Sequence, residues 1–269
     1  MREPVDWYYP MNVLLAEDNP VNQEVAVGLL EVLDCEVTVA ENGQKALDAT
    51  GHARFDLILM DCQMPIMDGL DATRAIRSSA TSGHRVPIVA LTANDVEATR
   101  EACLAAGMDD LLGKPFTLDE LTSLLHRWRP PSHAPSPAEP PSSRTTAPAR
   151  LTNVLDHAPI DALRALDPLG ERKLVERAIA KFLGYSDELM ERLANAVGQS
   201  DATEVARIAH SLKSSSANLG AMDLARQCGE IEKLANSAIP PQDLGTRLSE
   251  LKQQHQEVKQ ALESLIEGC

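Results

Sequence analysis

The chain has 269 residues, with 40 acidic against 25 basic side chains, a formal charge of −15, and few aromatics among its apolar residues. Both halves are acidic and neither has a basic stripe, which argues against duplex DNA or an anionic membrane as a direct partner. Five scattered cysteines without Cys-x-x-Cys spacing argue against a zinc site or a disulfide framework and fit a reducing, cytoplasmic setting. No run reaches the roughly 18 apolar residues of a membrane span, and no signal peptide is expected at Met1–Trp7. Strand-like runs then follow at Val13–Ala16, Glu36–Ala40, Leu57–Met60, Ile88–Leu91 and Asp110–Leu112. Helical patterns separate them at 21–33, 43–53, 68–79, 95–106 and 117–128, with Gly69, Gly83 and Gly107 at turns or helix ends. The central strands are continuously apolar, as strands buried on both faces are. Five βα units with short connections predict an α/β, doubly wound, five-stranded parallel sheet over residues 11–128.

Residues 129–150 contain seven prolines among small polar residues. Such a stretch predicts an extended, flexible linker rather than a core or a helix. Beyond it, residues 151–269 show no strand. Helices are predicted near 160–167, 170–198, 202–219, 222–237 and 241–266, with Asp201 as an N-cap, Gly220 as a stop and Pro240-Pro241 opening the last. Short loops between antiparallel helices predict a separate all-α bundle. The chain has no internal repeat.

Three carboxylates and a lysine stand where strands of the first half end. Glu17-Asp18 follows the first strand, Asp61 closes the third, and Lys114 follows the fifth. In a parallel sheet these positions converge on one pocket. Mutual repulsion would raise the carboxyl pKa values unless a cation sat among them, and Mg²⁺ suits such oxygen donors. A metal-neutralised Asp61 can act as a nucleophile toward phosphorus, forming an acyl phosphate. Lys114, and the hydroxyl of Thr92 at the end of the fourth strand, are then expected to stabilise the equatorial oxygens.

Glu17-Asp18, the run from Leu59 to Gly69, Ala90-Leu91-Thr92-Ala93 and Lys114-Pro115-Phe116 resemble the receiver domains of two-component systems, those of hybrid kinases most of all. The resemblance covers about residues 11–128 and implies a flavodoxin-like fold in which Asp61 is phosphorylated. It implies that Asp18 binds Mg²⁺ directly, Glu17 largely through water, and that the backbone carbonyl of Gln63 completes the protein ligands. Thr92 and Lys114 would grip the phosphoryl group, and the Lys114–Pro115 bond would be cis. Asp68 reads as a helix cap, while Asn94 and Gln63 are placed to tune access of water. One position departs from the pattern: Leu111 stands where an aromatic switch residue is common.

In the second half, Val205, Ile208, Ala209, Leu212, Ser216 and Leu219 form one core-facing stripe. His210 lies about 140° from its centre and is expected to face solvent or a partner. Ala206, Ser214 and Ala217 leave the imidazole approachable, and Lys213 at i+3 stands beside it. Ala209–Ala221, with Leu224, Cys228, Ile231-Glu232 and Leu234, is similar to the histidine phosphotransfer (HPt) domain family over about residues 155–267. That resemblance implies that His210 carries a phosphoryl group and that Lys213 helps neutralise it. Many members have Gly four residues after the histidine; here it is Ser214. The other histidines (His52, His84, His126, His133, His157 and His255) read as surface or linker residues, and Gln253–Glu257 as a polar helix face.

Together the halves predict a phosphorelay protein without an ATP-binding kinase module. Its partners would be an upstream sensor histidine kinase and a downstream response regulator. The expected route runs from a kinase phosphohistidine to Asp61, then His210, then a regulator aspartate, or the reverse. A receiver that controls a bound enzyme or kinase, with the bundle as phosphate sink, is the alternative. A DNA-binding regulator is disfavoured by the acidic, recognition-helix-free second half.

Overall fold

The computed structural model describes residues 10–79, 85–92, 96–129, 154–167, 170, 173–237 and 242–267. The expected linker beyond Arg129, Gly83, His84, Asn94, His133 and Pro240-Pro241 lie outside the described residues. The first half is the five-stranded parallel sheet: β1 (Met11–Ala16), β2 (Cys35–Ala40), β3 (Leu57–Asp61), β4 (Ile88–Thr92) and β5 (Asp110–Gly113), in the order β2-β1-β3-β4-β5. Helices α1 (Pro20–Val32), α2 (Gly43–His52), α3 (Gly69–Ser79), α4 (Val96–Ala106) and α5 (Leu118–Trp128) alternate with the strands.

Strand side chains divide by parity between two layers, as the two-residue period requires. Val13, Leu15, Leu57, Leu59, Val89 and Leu91 meet α1 and α5, whereas Leu14, Ala16, Ile58, Met60, Ile88 and Ala90 meet α2, α3 and α4. All twelve are fully buried, which explains why these strands read as unbroken apolar runs. Strand register aligns Ala16 with Met60, Asp61 with Leu91 and Thr92 with Gly113, so one edge of the sheet receives the acids, the threonine and the lysine.

The second half is all helical among the described residues: α6 (Ala158–Leu166), α7 (Leu174–Gly198), α8 (Ala202–Asn218), α9 (Met222–Asn236) and α10 (Gln242–Glu267). Helix α8 packs between α7 and α9, and α10 closes against both of those neighbours. Asp201 accepts the Glu204 amide hydrogen as N-cap, and Gly220, at φ 75°, follows the end of α8. The helix expected from 170 starts at Leu174 instead. Gly170 and Lys173 both adopt positive φ, 66° and 48°, which no α-helical turn accommodates. His255 also departs from its sequence reading. It is buried, bonds through Nε2 to Ser186 Oγ at 2.8 Å, and belongs to the stripe Leu251, Val258 and Leu262 that faces the core.

The bundle docks on the α/β unit through α1, which packs against α7, α8 and α6 and joins both halves in one apolar cluster. Gly28 allows a close approach: a Cβ there would lie 2.4 Å from Leu174 Cδ1 and 2.9 Å from its Cδ2. Alanine can be accommodated by rotating Leu174, and gains about 1 kcal/mol of helix propensity. Gly28→Trp is expected to lever the two helices apart while leaving the sheet intact. The expected result is increased proteolytic cleavage between the halves and a larger hydrodynamic radius; an unchanged radius would argue against this packing.

Candidate functional site

Glu17, Asp18 and Asp61 offer carboxylate oxygens within 4.8 Å of one another. Gly69 sets the height of Asp61: α3 begins so close to β3 that a Cβ would lie 2.0 Å from the Asp61 carbonyl oxygen. The Gly69 amide donates to the Cys62 carbonyl, and the Gln63 amide donates to Asp61 Oδ1 at 3.1 Å. The α3 end is fixed by Asp68, whose Oδ1 accepts from the Asp71 amide. Lys114 is 4% exposed and donates to Asp61 Oδ2 at 2.6 Å and to Glu17 Oε2 at 2.5 Å. Its amide donates to the Thr92 carbonyl, and the Lys114–Pro115 peptide is cis. Thr92 is buried at the end of β4. Leu111 lies half-buried on β5.

The histidine helix meets this edge. Asp61 and His210 line one cavity of about 20 Å³, together with Glu17, Asp18, Asn19, Gln63, Arg207, Ser211 and Ser214. His210 is 8% exposed, so its outward face is covered by the chain's own α/β unit rather than by solvent. Its Nδ1 lies 2.8 Å from Glu232 Oε1. In the neutral ring that contact fixes the hydrogen on Nδ1 and leaves the Nε2 lone pair for chemistry. Lys213 donates to Glu232 Oε2 at 3.2 Å, and the lining of the cavity contains Arg207 rather than Lys213.

Asparagines clamp the two surfaces. Asn19 Nδ2 donates to the Ser211 carbonyl at 2.9 Å and to Ser211 Oγ at 3.0 Å. Asn22 Nδ2 donates to Glu17 Oε1 and to Ser214 Oγ, both at 3.0 Å, and Asn218 Nδ2 donates to Asn22 Oδ1 at 2.8 Å. Ser214, the departure from the glycine pattern, thus hydrogen-bonds the α1 residue that also holds an acid of the site.

The response regulator receiver domain family matches residues 13–126, and the Hpt domain family matches residues 177–266. The chain carries a receiver domain followed by an Hpt domain. This pairing matches the C-terminal region of hybrid sensor kinases and is the apparatus of phosphorelay signal transduction. Sensor histidine kinase AruS of Pseudomonas aeruginosa is 35% identical over 246 residues, which is 90% of this chain and 23% of that protein. Signal transduction histidine-protein kinase BarA of Escherichia coli K12 is 30% identical over 243 residues, again 90% of this chain and 26% of that protein. The chain thus spans about a quarter of the length of these relatives. The crystal structure of the receiver domain of sensor histidine kinase PA1611 from P. aeruginosa, which holds a magnesium ion in its active site cleft, is 49% identical. It covers 44% of this chain and 97% of its own, with a TM-score of 0.42. No described helix is long and apolar enough to cross a membrane.

Electrostatics in the receiver fit a hard divalent cation. Burial pushes Glu17 up to about 7; Lys114 pulls it down and Asp61 adds to the rise. Burial and then Asp61 push Asp18 up to about 6. Burial alone would lower the Lys114 pKa, but Asp61 and Glu17 hold it above its usual range. Three clustered carboxylates with one ammonium are therefore short of positive charge, and all their donor atoms are oxygens of the kind Mg²⁺ takes.

Glu17 and Asp18 keep protons in the folded chain at pH values where the unfolded chain has released them. Their contribution to metal-free stability should fall as pH rises from about 4 to about 7, then level off. Mg²⁺ competes with those protons, so its stabilising effect should be larger at pH 7.5 than at pH 5. Melting temperatures with Mg²⁺ and with EDTA check this; a gap independent of pH would count against the metal assignment.

In the Hpt domain, burial pushes Glu232 up, but His210 and Lys213 more than reverse it and hold the carboxylate below its usual range. In the sequence Glu232 stands only within the family pattern, and its bond to His210 is not legible there. The signal was a carboxylate on the buried stripe of Leu224, Cys228 and Ile231. Arg207 and the asparagine clamp also went unrecognised, because their meaning depends on the docking of two domains.

Proposed function

We propose that this chain accepts a phosphoryl group from a kinase phosphohistidine on Asp61, passes it to His210, and delivers it to the aspartate of a downstream response regulator, or runs the same steps in reverse. The observation that carries this reading is the cavity lined by both Asp61 and His210. Asp18, Asp61 and the Gln63 carbonyl would hold Mg²⁺ directly and Glu17 through water; when bound, the ion neutralises the acids and the phosphoryl oxygens.

The chain's own groups account for the remainder. In the first step Asp61 Oδ forms the bond to phosphorus as the donor N–P bond breaks. In the second, the His210 Nε2 lone pair attacks phosphorus, the Oδ–P bond breaks, and its electron pair returns to the Asp61 carboxylate. The hydrogen on Nδ1 stays against Glu232, which stabilises the positive charge gathering on the ring. Lys114 and Thr92 meet the equatorial oxygens from the receiver side.

The test mixes two variants of the 269-residue chain. His210→Gln chain carrying label on Asp61 is added, with Mg²⁺, to Asp61→Asn chain. Acid-labile, base-stable label arriving on the second chain supports the reading. Label that hydrolyses without ever reaching His210, both in this mixture and in wild-type chain where Asp61 and His210 share one molecule, would instead favour a receiver acting as a switch. EDTA should stop the transfer and leave phosphohistidine already formed intact.

A further inference from the structure

We infer that Arg207 is a catalytic residue of the transfer between Asp61 and His210, supplying from the Hpt side the cation that contacts the phosphoryl group in transit. The inference deepens the relay reading proposed above and rests on it.

Arg207 lies three residues before His210, one turn along α8, and lines the same cavity as Asp18 and Asp61. Its guanidinium is already oriented. Nε donates to Glu204 Oε2 at 2.8 Å and Nη2 to Glu204 Oε1 at 2.7 Å. Glu204 Oε1 also accepts from Arg192 Nη2 at 2.8 Å, which ties the fork to α7. Two of five N–H donors are thereby engaged, leaving three for a ligand.

The chemistry calls for such a group. During transfer, charge spreads over three equatorial oxygens while phosphorus lies between Asp61 Oδ and His210 Nε2. Lys114 and Thr92 approach from the receiver. On the Hpt side Lys213 is bonded to Glu232, the carboxylate that also orients Nδ1, whereas Arg207 lines the cavity that Asp61 and His210 share. A guanidinium donates two parallel hydrogen bonds to phosphoryl oxygens, and its pre-orientation by Glu204 removes the cost of ordering it during reaction. Arg207 takes no proton; it donates hydrogen bonds as the Oδ–P bond and the N–P bond exchange.

Transfer is reversible, so one transition state serves both directions. The 269-residue chain is labelled on His210 with phosphoramidate in EDTA, freed of donor, and started with Mg²⁺. Loss of base-stable label then reports movement to Asp61, with Asp61→Asn as the control that retains it. Relative to wild type, Arg207→Gln should slow this loss roughly a hundredfold, and Arg207→Lys should recover part of the rate. Glu204→Gln loosens the fork but keeps the cation, and should cost less than tenfold. Wild-type rate in Arg207→Gln would overturn the inference. Equal losses in Arg207→Gln and Glu204→Gln with no recovery in Arg207→Lys would also overturn it, leaving Arg207 as a strut between α7 and α8. If wild-type label fails to drain, the relay reading falls and takes this inference with it.

Discussion

Asp61→Asn is expected to remove label from both halves of the chain when a phospho-kinase is the donor. The amide cannot form an acyl phosphate, so receiver labelling should fall below about a thousandth of wild type, an effect larger than losing any one stabilising donor. His210 should then stay unlabelled too, because on the proposed route it is supplied through Asp61. The variant should fold. The side chain is nearly isosteric, Lys114 keeps its bond to Glu17, and the removed charge is one that raises both Glu17 and Asp18. Its metal-free melting temperature should accordingly vary less with pH than that of wild type. Gel labelling with acid and base stability checks decides the matter: His210 labelled at the wild-type rate in Asp61→Asn would refute the order of transfer.

Lys114→Ala should separate chemistry from metal binding. The ammonium is the counter-ion of two buried carboxylates, and removing one member of such a cluster costs about 3–5 kcal/mol because the remaining charges lose their partner. Mg²⁺ can supply that charge, so the variant should gain more melting temperature from Mg²⁺ than wild type does. Transfer should remain about 100- to 1,000-fold slower with metal present, since the donor to the equatorial oxygens is gone. Calorimetric Mg²⁺ binding beside single-turnover transfer measures both. A loss of Mg²⁺ affinity as large as the loss of transfer would reassign Lys114 to the metal site.

Much of this was legible because local patterns and global fold agree. Strands buried on both faces leave no alternation, and a parallel sheet collects residues from successive strand ends on one edge. The convergence of the acids, Asp61, Thr92 and Lys114 is therefore legible in the sequence. His255 was misread because Gln253–Glu257 is polar as a string. Position 255 nevertheless keeps the i, i+4, i+7 and i+11 spacing with Leu251, Val258 and Leu262, and Ser186 satisfies its ring nitrogen. The start of α7 was placed too early because sequence periodicity does not register left-handed backbone at Gly170 and Lys173. His210 was read as outward-facing from its angle on the helix. What covers that face is α1 and the acid edge, a contact made by pairing Asn19 and Asn22 with Ser211 and Ser214, residues some 190 positions apart that no local pattern around His210 links.

The covered α1 face has a thermodynamic consequence. Any histidine helix arriving from another protein competes with one already tethered in place, and so does any aspartate seeking His210. Outside partners therefore bind only the fraction of molecules whose halves have parted. If docking is favoured about a hundredfold, an external partner's apparent dissociation constant rises by about the same factor. Substitutions at Gly28 or Asn22, far from either reacting atom, would then retune the whole relay by changing who is admitted to it.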